Sequence, residues 1–378
     1  MSLPPTKVRK PGIRANSSVS GLLTDAQVQA VFQPIENLQT GEIVGLEALA
    51  RLALGDQLLS PASFLPGLSL TDRTALFREM LRQAIALQGA LPCSGSERYV
   101  AVNVEVPLVL SDGFLHLVHS VLDQYGPVGE GAIVLELLEG HATTDCARMS
   151  KRLHAIRALG IRVALDDIGS AYSSLINLRD LPVDIMKLDQ SFARGLGDRP
   201  RDLHFALSLQ SLARSIGKRL VVEGVETVEI RDALRVLGVD LGQGYGIARP
   251  MPGEAVAAWL AGRPEIGDFD KTPTSLLGAY AGHLRVVEAC RTLMGQPLPI
   301  AWEEASKDPH ACSIGVFFDR QGLHETVFGR AHKRFHEVMA LYEADPRGWH
   351  NGAEDFRQEL ERALKDPSLR FRCEAVAA

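Results

Sequence analysis

"VQAVFQPIENLQTGEIVGLEAL", residues 28–49, holds two strand-length apolar runs joined only by "ENLQTG". A parallel crossover takes about a dozen residues or more, so this pair is read as antiparallel. From here to Pro250 the chain keeps producing short runs rich in Val, Ile and Leu. They are "YVAVNV" (99–104), "AIVLELL" (132–138), "IRVALDD" (161–167), "VDIMKLD" (183–189), "KRLVVEG" (218–224) and "VDLGQGYGIA" (239–248). Such runs read as strands buried on both faces. Between them lie segments such as "TALFREMLRQAIALQGAL" (74–91), "CARMSKRLHAIRALG" (146–160) and "HFALSLQSLARSIG" (204–217), with apolar residues three and four apart. The last two end at glycine, a common helix stop. Eight strands with helices between them predict a β/α barrel, modified by its antiparallel first pair.

The 378 residues, 46% of them hydrophobic, suffice for one large domain and a smaller one. The division expected is a flexible segment over 1–24, the barrel over 25–260, a Pro/Gly-containing linker over 261–275, and a helical domain over 276–378. Lys and Arg total 40 against 46 Asp and Glu, a net charge of −6. That excludes a globally basic surface for a nucleic-acid polymer. The five cysteines, Cys93, Cys146, Cys290, Cys312 and Cys373, include no CxxC pair and fit a reducing cytoplasm. No apolar run approaches the roughly 20 residues of a membrane span. The first 21 residues carry Pro, Ser and basic residues but no apolar core, so no signal peptide is expected.

Polar residues recur at the C-terminal ends of the strands: Glu47, Asn103, Glu136, Asp166 with Asp167, Lys187 with Asp189, Glu223 and Gln243. In a β/α barrel these ends meet on one face, where catalytic groups sit. One such residue alone would be a satisfied strand-end polar group. Converging carboxylates that are buried and unpaired cost several kcal/mol each or change their pKa, so the set calls for a cation. Oxygen donors with one Asn and no clustered His or Cys favour Mg²⁺ or Mn²⁺ over zinc. The adjacent pair Asp166–Asp167 suits two ions about 3.5–4 Å apart, the arrangement for attack on a phosphodiester.

The motifs "EALAR" (47–51), "NVE" at Asn103, "ELLE" (136–139), "DDIGSAYSSL" (166–175), "KLD" (187–189), "EGVE" (223–226) and "QGYGIARP" (243–250) resemble, in order, those of the EAL-domain cyclic di-GMP phosphodiesterases. The resemblance implies a modified TIM-type barrel and metal-dependent hydrolysis of cyclic di-GMP to linear pGpG. It implies that Glu47, Asn103, Glu136 and Asp166 hold one metal, Mg²⁺ or Mn²⁺. Asp166 would bridge to a second ion that Asp167 also binds, with Glu223 counted among the ligands. Lys187 would bond the attacking water and Glu223 would orient or deprotonate it. Arg51 would meet a substrate phosphate and Leu49 a guanine. Gln243 and Pro250 would complete the substrate side. Glu139 would anchor the loop after the Asp pair, which contributes to a homodimer contact. Three departures stand out: Glu105 where the family has Ser or Thr, Leu138 where it often has Thr, and Ile168 with Ala171 in the loop. None removes an implied ligand. A non-catalytic cyclic di-GMP receptor and a scaffold that binds no nucleotide are the alternatives, and the complete acidic set argues against both.

From Leu276 onward the sequence shows no strand periodicity. "LLGAYAGHLRVVEACRTLMG", "HETVFGRAHKRFHEVMALYEAD" and "GAEDFRQELERALKD" read as helices. His332 and His336 are four apart and share a helix face, a common zinc-ligand spacing. With His283 and Cys312 they resemble the ligand set of the CZB zinc-binding domain, which implies a Zn²⁺ site and a zinc-sensing or associating role. Val286 and "IGVF" (314–317) depart from that family's pattern. The alternative is a helical bundle with surface histidines and a buried free cysteine.

Overall fold

The computed structural model describes residues 28–54, 57–91, 98–125, 128–138, 146–168, 179, 181–263, 271–292, 308–339, 345–366 and 368–369. Residues 1–24, part of the expected linker, Glu139 and Ala171 lie outside these. The strands are β1 (Val28–Asn37), β2 (Ile43–Leu54), β3 (Gln57–Leu59), β4 (Tyr99–Glu105), β5 (Ile133–Leu138), β6 (Arg162–Ile168), β7 (Ile185–Leu188), β8 (Arg219–Glu223), β9 (Leu241–Gln243) and β10 (Met251–Pro252). β2 and β4 to β9 pair in parallel in that order, and β1 closes the ring antiparallel to both β2 and β9. The result is a modified TIM-type barrel, as the short first connection requires. β3 and β10 extend it outside the ring, pairing antiparallel with β2 and β1.

The longer barrel helices are α1 (Leu70–Ala90), α2 (Phe114–Tyr125), α3 (Cys146–Arg157), α4 (Leu203–Ser215), α5 (Val228–Leu237) and α6 (Gly253–Ala261). Ser69 and Asp72 start α1 with a reciprocal capping box, which satisfies two otherwise unpaired donors. Their apolar faces cover the outside of the strands.

Inside the barrel, Ala101, Val134, Ala164, Ile185, Val221 and Leu241 form an apolar layer with Ile35, Val44 and Tyr99. A step of two residues returns a strand to the same face. Two residues after each of those six positions come Asn103, Glu136, Asp166, Lys187, Glu223 and Gln243. β1 runs the other way, so its inward polar residue, Gln33, lies two before Ile35. In β2 the residue two before Glu47 is Gly45, and the Tyr99 ring takes the space a side chain would fill. A Cβ there would come within 2.5 Å of that ring. Layer geometry alone thus turns the strand ends into a polar floor above an apolar plug.

The C-terminal helices are α7 (Leu276–Thr292), α8 (Ser313–Gln321), α9 (Val327–Met339) and α10 (Pro346–Lys365). α7 lies against α5 of the barrel and its buried residues join the same apolar core. Asp232 of α5 fixes its start, accepting from Thr274 N (2.9 Å), Ser275 N (2.9 Å) and Ser275 Oγ (2.8 Å). Arg235 donates to Thr272 O at 2.7 Å. Gly278 permits this approach, since a Cβ would fall 2.0 Å from Asp232 Oδ2. Gly278→Ala is therefore expected to destabilise the docked helix by about 1–3 kcal/mol, the usual cost of overpacking. A thermal melt with the wild-type midpoint would show that this contact carries no such constraint. Among the described residues no helix is long and apolar enough to cross a membrane.

Candidate active site

Lys187, 1% exposed, sits among the carboxylates. Its Nζ lies 2.6 Å from Glu223 Oε1, 2.7 Å from Glu136 Oε2, 3.3 Å from Glu47 Oε2 and 3.5 Å from Asp166 Oδ1. Two amides position Glu47: Asn103 Nδ2 donates to Oε1 at 2.8 Å and Gln243 Nε2 to Oε2 at 2.6 Å. Gln33 completes the ring, with Oε1 3.3 Å from Gln243 Nε2 and its own Nε2 donating to Ala248 O at 3.3 Å. Asp167 is the sole non-glycine residue with positive φ among the described residues, at 57°. Its N–H donates to Asp166 Oδ1 at 3.0 Å. A left-handed backbone is a cost that clusters at functional sites.

Electrostatics show what the cluster lacks. Burial, reinforced by Glu47, pushes Glu136 well above the usual carboxylate range. Burial likewise raises Asp166, lifts Asp167 to about 6 with help from Asp166, and lifts Glu223 to about 7. Burial works against the charge of Glu47 too, but Lys187 and the bonds from Gln243 and Asn103 bring it below its ordinary value. Lys187 stays protonated well above the usual lysine range because Glu136, Glu223, Glu47 and Asp166 outweigh its desolvation. One ammonium does not balance five carboxylates, so the protein relieves the excess by taking up protons. Gln243 Oε1 is buried without a hydrogen-bond partner. Oxygen-rich donors, surplus negative charge and an orphaned amide oxygen fit hard divalent cations.

Two cavities flank the acids and share Glu47, Leu49 and Asp166. One, of about 350 Å³, is lined by Asn103, Phe77, Met80, Leu138 and the ion pair of Arg73 with Glu105. The other, of about 210 Å³, is lined by Gln33, Glu223, Gln243, Tyr245 and Arg194. Leu49 and Arg51 continue the inward side of β2 beyond Glu47. Arg51 is half-buried and donates from Nη1 to Ala50 O at 2.8 Å. Arg51 and Pro250 are not among the lining residues of either cavity. Sequence reasoning missed Gln33 and Arg73. The signal for Gln33 was present: a polar residue inside an apolar strand that runs opposite to the others.

The profile of the EAL domain matches residues 16–250. The chain belongs to the EAL domain family. Over 244 residues it is 35% identical to a cyclic di-GMP phosphodiesterase of Pseudomonas aeruginosa, covering 63% of this chain and 40% of that protein. It is 31% identical over 246 residues to the cyclic di-GMP phosphodiesterase RocR of the same organism, covering 64% and 62%. The chain thus spans about two fifths to three fifths of the length of these curated relatives. Among solved structures, the PaMucR phosphodiesterase in complex with cyclic di-GMP shares the EAL fold, with a TM-score of 0.57 and 28% identity over 63% of this chain and 98% of that one. An EAL domain protein of Listeria monocytogenes gives a TM-score of 0.58 and 26% identity, covering 66% and 99%.

Outside the EAL domain, Cys312, His332 and His336 bring one ligand atom each within 4.8 Å of one another. His332 Nε2 lies 3.3 Å from Cys312 Sγ and 3.2 Å from His336 Nε2. His332 and His336 are 1% and 5% exposed, so they are not surface histidines. His283 is as buried but stands outside this triangle. Its Nε2–H donates to Ala353 O at 2.8 Å, leaving Nδ1 buried without a partner. Burial raises the Cys312 thiol and lowers both His283, to about 4, and His332. Burial thus favours the neutral forms of Cys312, His283 and His332.

Proposed function

We propose that this EAL domain hydrolyses cyclic di-GMP to linear pGpG. The complete acid–lysine constellation carries the reading: every ligand type the family needs stands at one end of the barrel, with Lys187 among them. Keeping so many buried like charges is costly, and a domain that only held the nucleotide would not need all of them. Glu47, Asn103, Glu136, Asp166, Asp167 and Glu223 would hold two Mg²⁺ or Mn²⁺ ions. When bound, these ions would polarise the phosphodiester and make a water molecule acidic. Lys187 donates a hydrogen bond to that water and holds it in line with the phosphorus. Glu223, whose Oε1 is 2.6 Å from Lys187 Nζ, orients the water and accepts its proton. Gln243 and Asn103 fix the carboxylate of Glu47. Arg51 supplies positive charge to a phosphate. Leu49, common to both cavities, packs against a guanine, and the cavities on either side of the acids suit the two halves of the dinucleotide. Pro250 would meet the substrate outside these two cavities, and Glu139, which lies outside the described residues, would anchor the loop that follows Asp167 and support a homodimer. Hydrolysis should require Mg²⁺ or Mn²⁺ and fall with Ca²⁺, whose irregular coordination misplaces water. Undiminished hydrolysis after exhaustive EDTA treatment would sink the two-metal reading.

The C-terminal helices we read as a zinc-sensing or associating region of a cytoplasmic protein. Cys312, His332 and His336 would be three ligands of Zn²⁺, and the unpartnered Nδ1 of His283 is the fourth candidate. Donation of the other ring nitrogen to a carbonyl is the usual setting of a metal-binding histidine. Protein purified without a His tag should carry one zinc that Cys312→Ser and His336→Ala both lose, with the barrel still folded. Equal zinc in all three proteins would remove the cluster from consideration.

A further inference from the structure

Three residues around α8 remain outside the zinc reading. His310 precedes the helix, Asp319 lies in its last turn, and His324 follows the turn at Gly322. One ligand atom of each lies within 4.8 Å of the others. His310 Nδ1 is 2.9 Å from Asp319 Oδ1 and 3.1 Å from Oδ2. His324 Nε2 is also 2.9 Å from Oδ1. This nitrogen is shut off from water, with the Asp319 carboxylate beside it. The two imidazole rings lie side by side, with centroids 4.1 Å apart and planes tilted by 31°.

A single surface His–Asp contact is an ordinary hydrogen bond. Here two imidazoles from opposite ends of α8 converge on one carboxylate oxygen, each at 2.9 Å. The spacing matches coordination. Two ligands at right angles, each about 2.1 Å from an octahedral ion, stand about 3.0 Å apart. We propose that His310, Asp319 and His324 form a second, open transition-metal site: a two-histidine, one-carboxylate face whose remaining positions belong to water. Imidazole and carboxylate without thiolate suit Ni²⁺, Co²⁺ or Zn²⁺, and partial exposure makes the ion exchangeable. One aromatic ring separates this site from the buried cluster. Phe318 stands edge-on to His324 at 5.9 Å and to His332 at 5.2 Å.

The test uses the full chain with Ni²⁺ as the probe. Excess Mg²⁺ occupies the oxygen donors of the barrel, and a Cys312→Ser background removes the buried thiolate. Equilibrium dialysis should then show one Ni²⁺ equivalent that His310→Ala and Asp319→Asn both lose. Both side chains are about half exposed, at 56% and 48%, so neither substitution disturbs the core. The metal-free melting curves should coincide. Equal Ni²⁺ uptake by all three proteins, or none in the background protein, would overturn the site. Because the comparison is made within the Cys312→Ser background, failure of the zinc reading leaves the difference readable.

Discussion

Lys187→Ala is expected to slow cyclic di-GMP hydrolysis by on the order of 10²–10³, by analogy with deletion of one transition-state donor. The same substitution should leave the nucleotide able to bind, because Arg51, Leu49 and the cavity walls are untouched. It should also expose the electrostatic role of the lysine. In the metal-free protein Nζ is the nearest positive charge to Glu136 and Glu223, at 2.7 and 2.6 Å. Removing one partner from a buried charge cluster typically costs about 3–5 kcal/mol. The melting temperature of the variant should therefore fall without metal and recover with Mn²⁺, while activity does not. Wild-type turnover in Lys187→Ala would show that the attacking water is positioned by another group.

Asp166→Asn should act in the opposite sense on stability. Asp166 would be a ligand shared by the two proposed ions, and an amide is a far weaker ligand than a carboxylate. Activity should fall by on the order of 10²–10³, as for loss of an electrostatic element acting in the transition state, and more Mn²⁺ should be needed for half-maximal rate. Burial raises the folded-state pKa of Asp166. Above its unfolded pKa, ionisation of this group therefore destabilises the metal-free fold, and the penalty grows until pH passes the folded pKa. Asparagine mimics the protonated form and can still accept from Asp167 N–H. The metal-free variant should thus melt higher than wild type at neutral pH. A lower midpoint would mean that Asp166 is held by interactions that favour its charge.

The barrel was legible because strands buried on both faces appear as uninterrupted Val, Ile and Leu runs, and six of its inward polar residues follow an inward apolar one by two positions. That rule assumes a strand running with the others. It passes over Gln33, since the antiparallel β1 presents its N-terminal half to the site. Glu105 is visible in the sequence as a departure from the family pattern, but its meaning is not. Its partner, Arg73, lies on α1, and only the fold joins them. β3 and β10 are too short, at three and two residues, to show any period. The His332–His336 pair was readable from helical spacing. The approach of His310 and His324 to Asp319 was not, because it depends on the turns at both ends of α8. Docking of α7 on α5 rests on the backbone N–H groups that Asp232 collects, which leave no mark in the sequence.

The central claim is that this acid cluster cleaves a phosphodiester rather than merely holding it. The most direct measurement incubates the purified protein with cyclic di-GMP in the presence of Mn²⁺ and separates the products. The expected result is multiple-turnover conversion to linear pGpG that stops with EDTA and is lost in Asp166→Asn. Stoichiometric binding of cyclic di-GMP with no pGpG under the same conditions would contradict the account and make the domain a receptor.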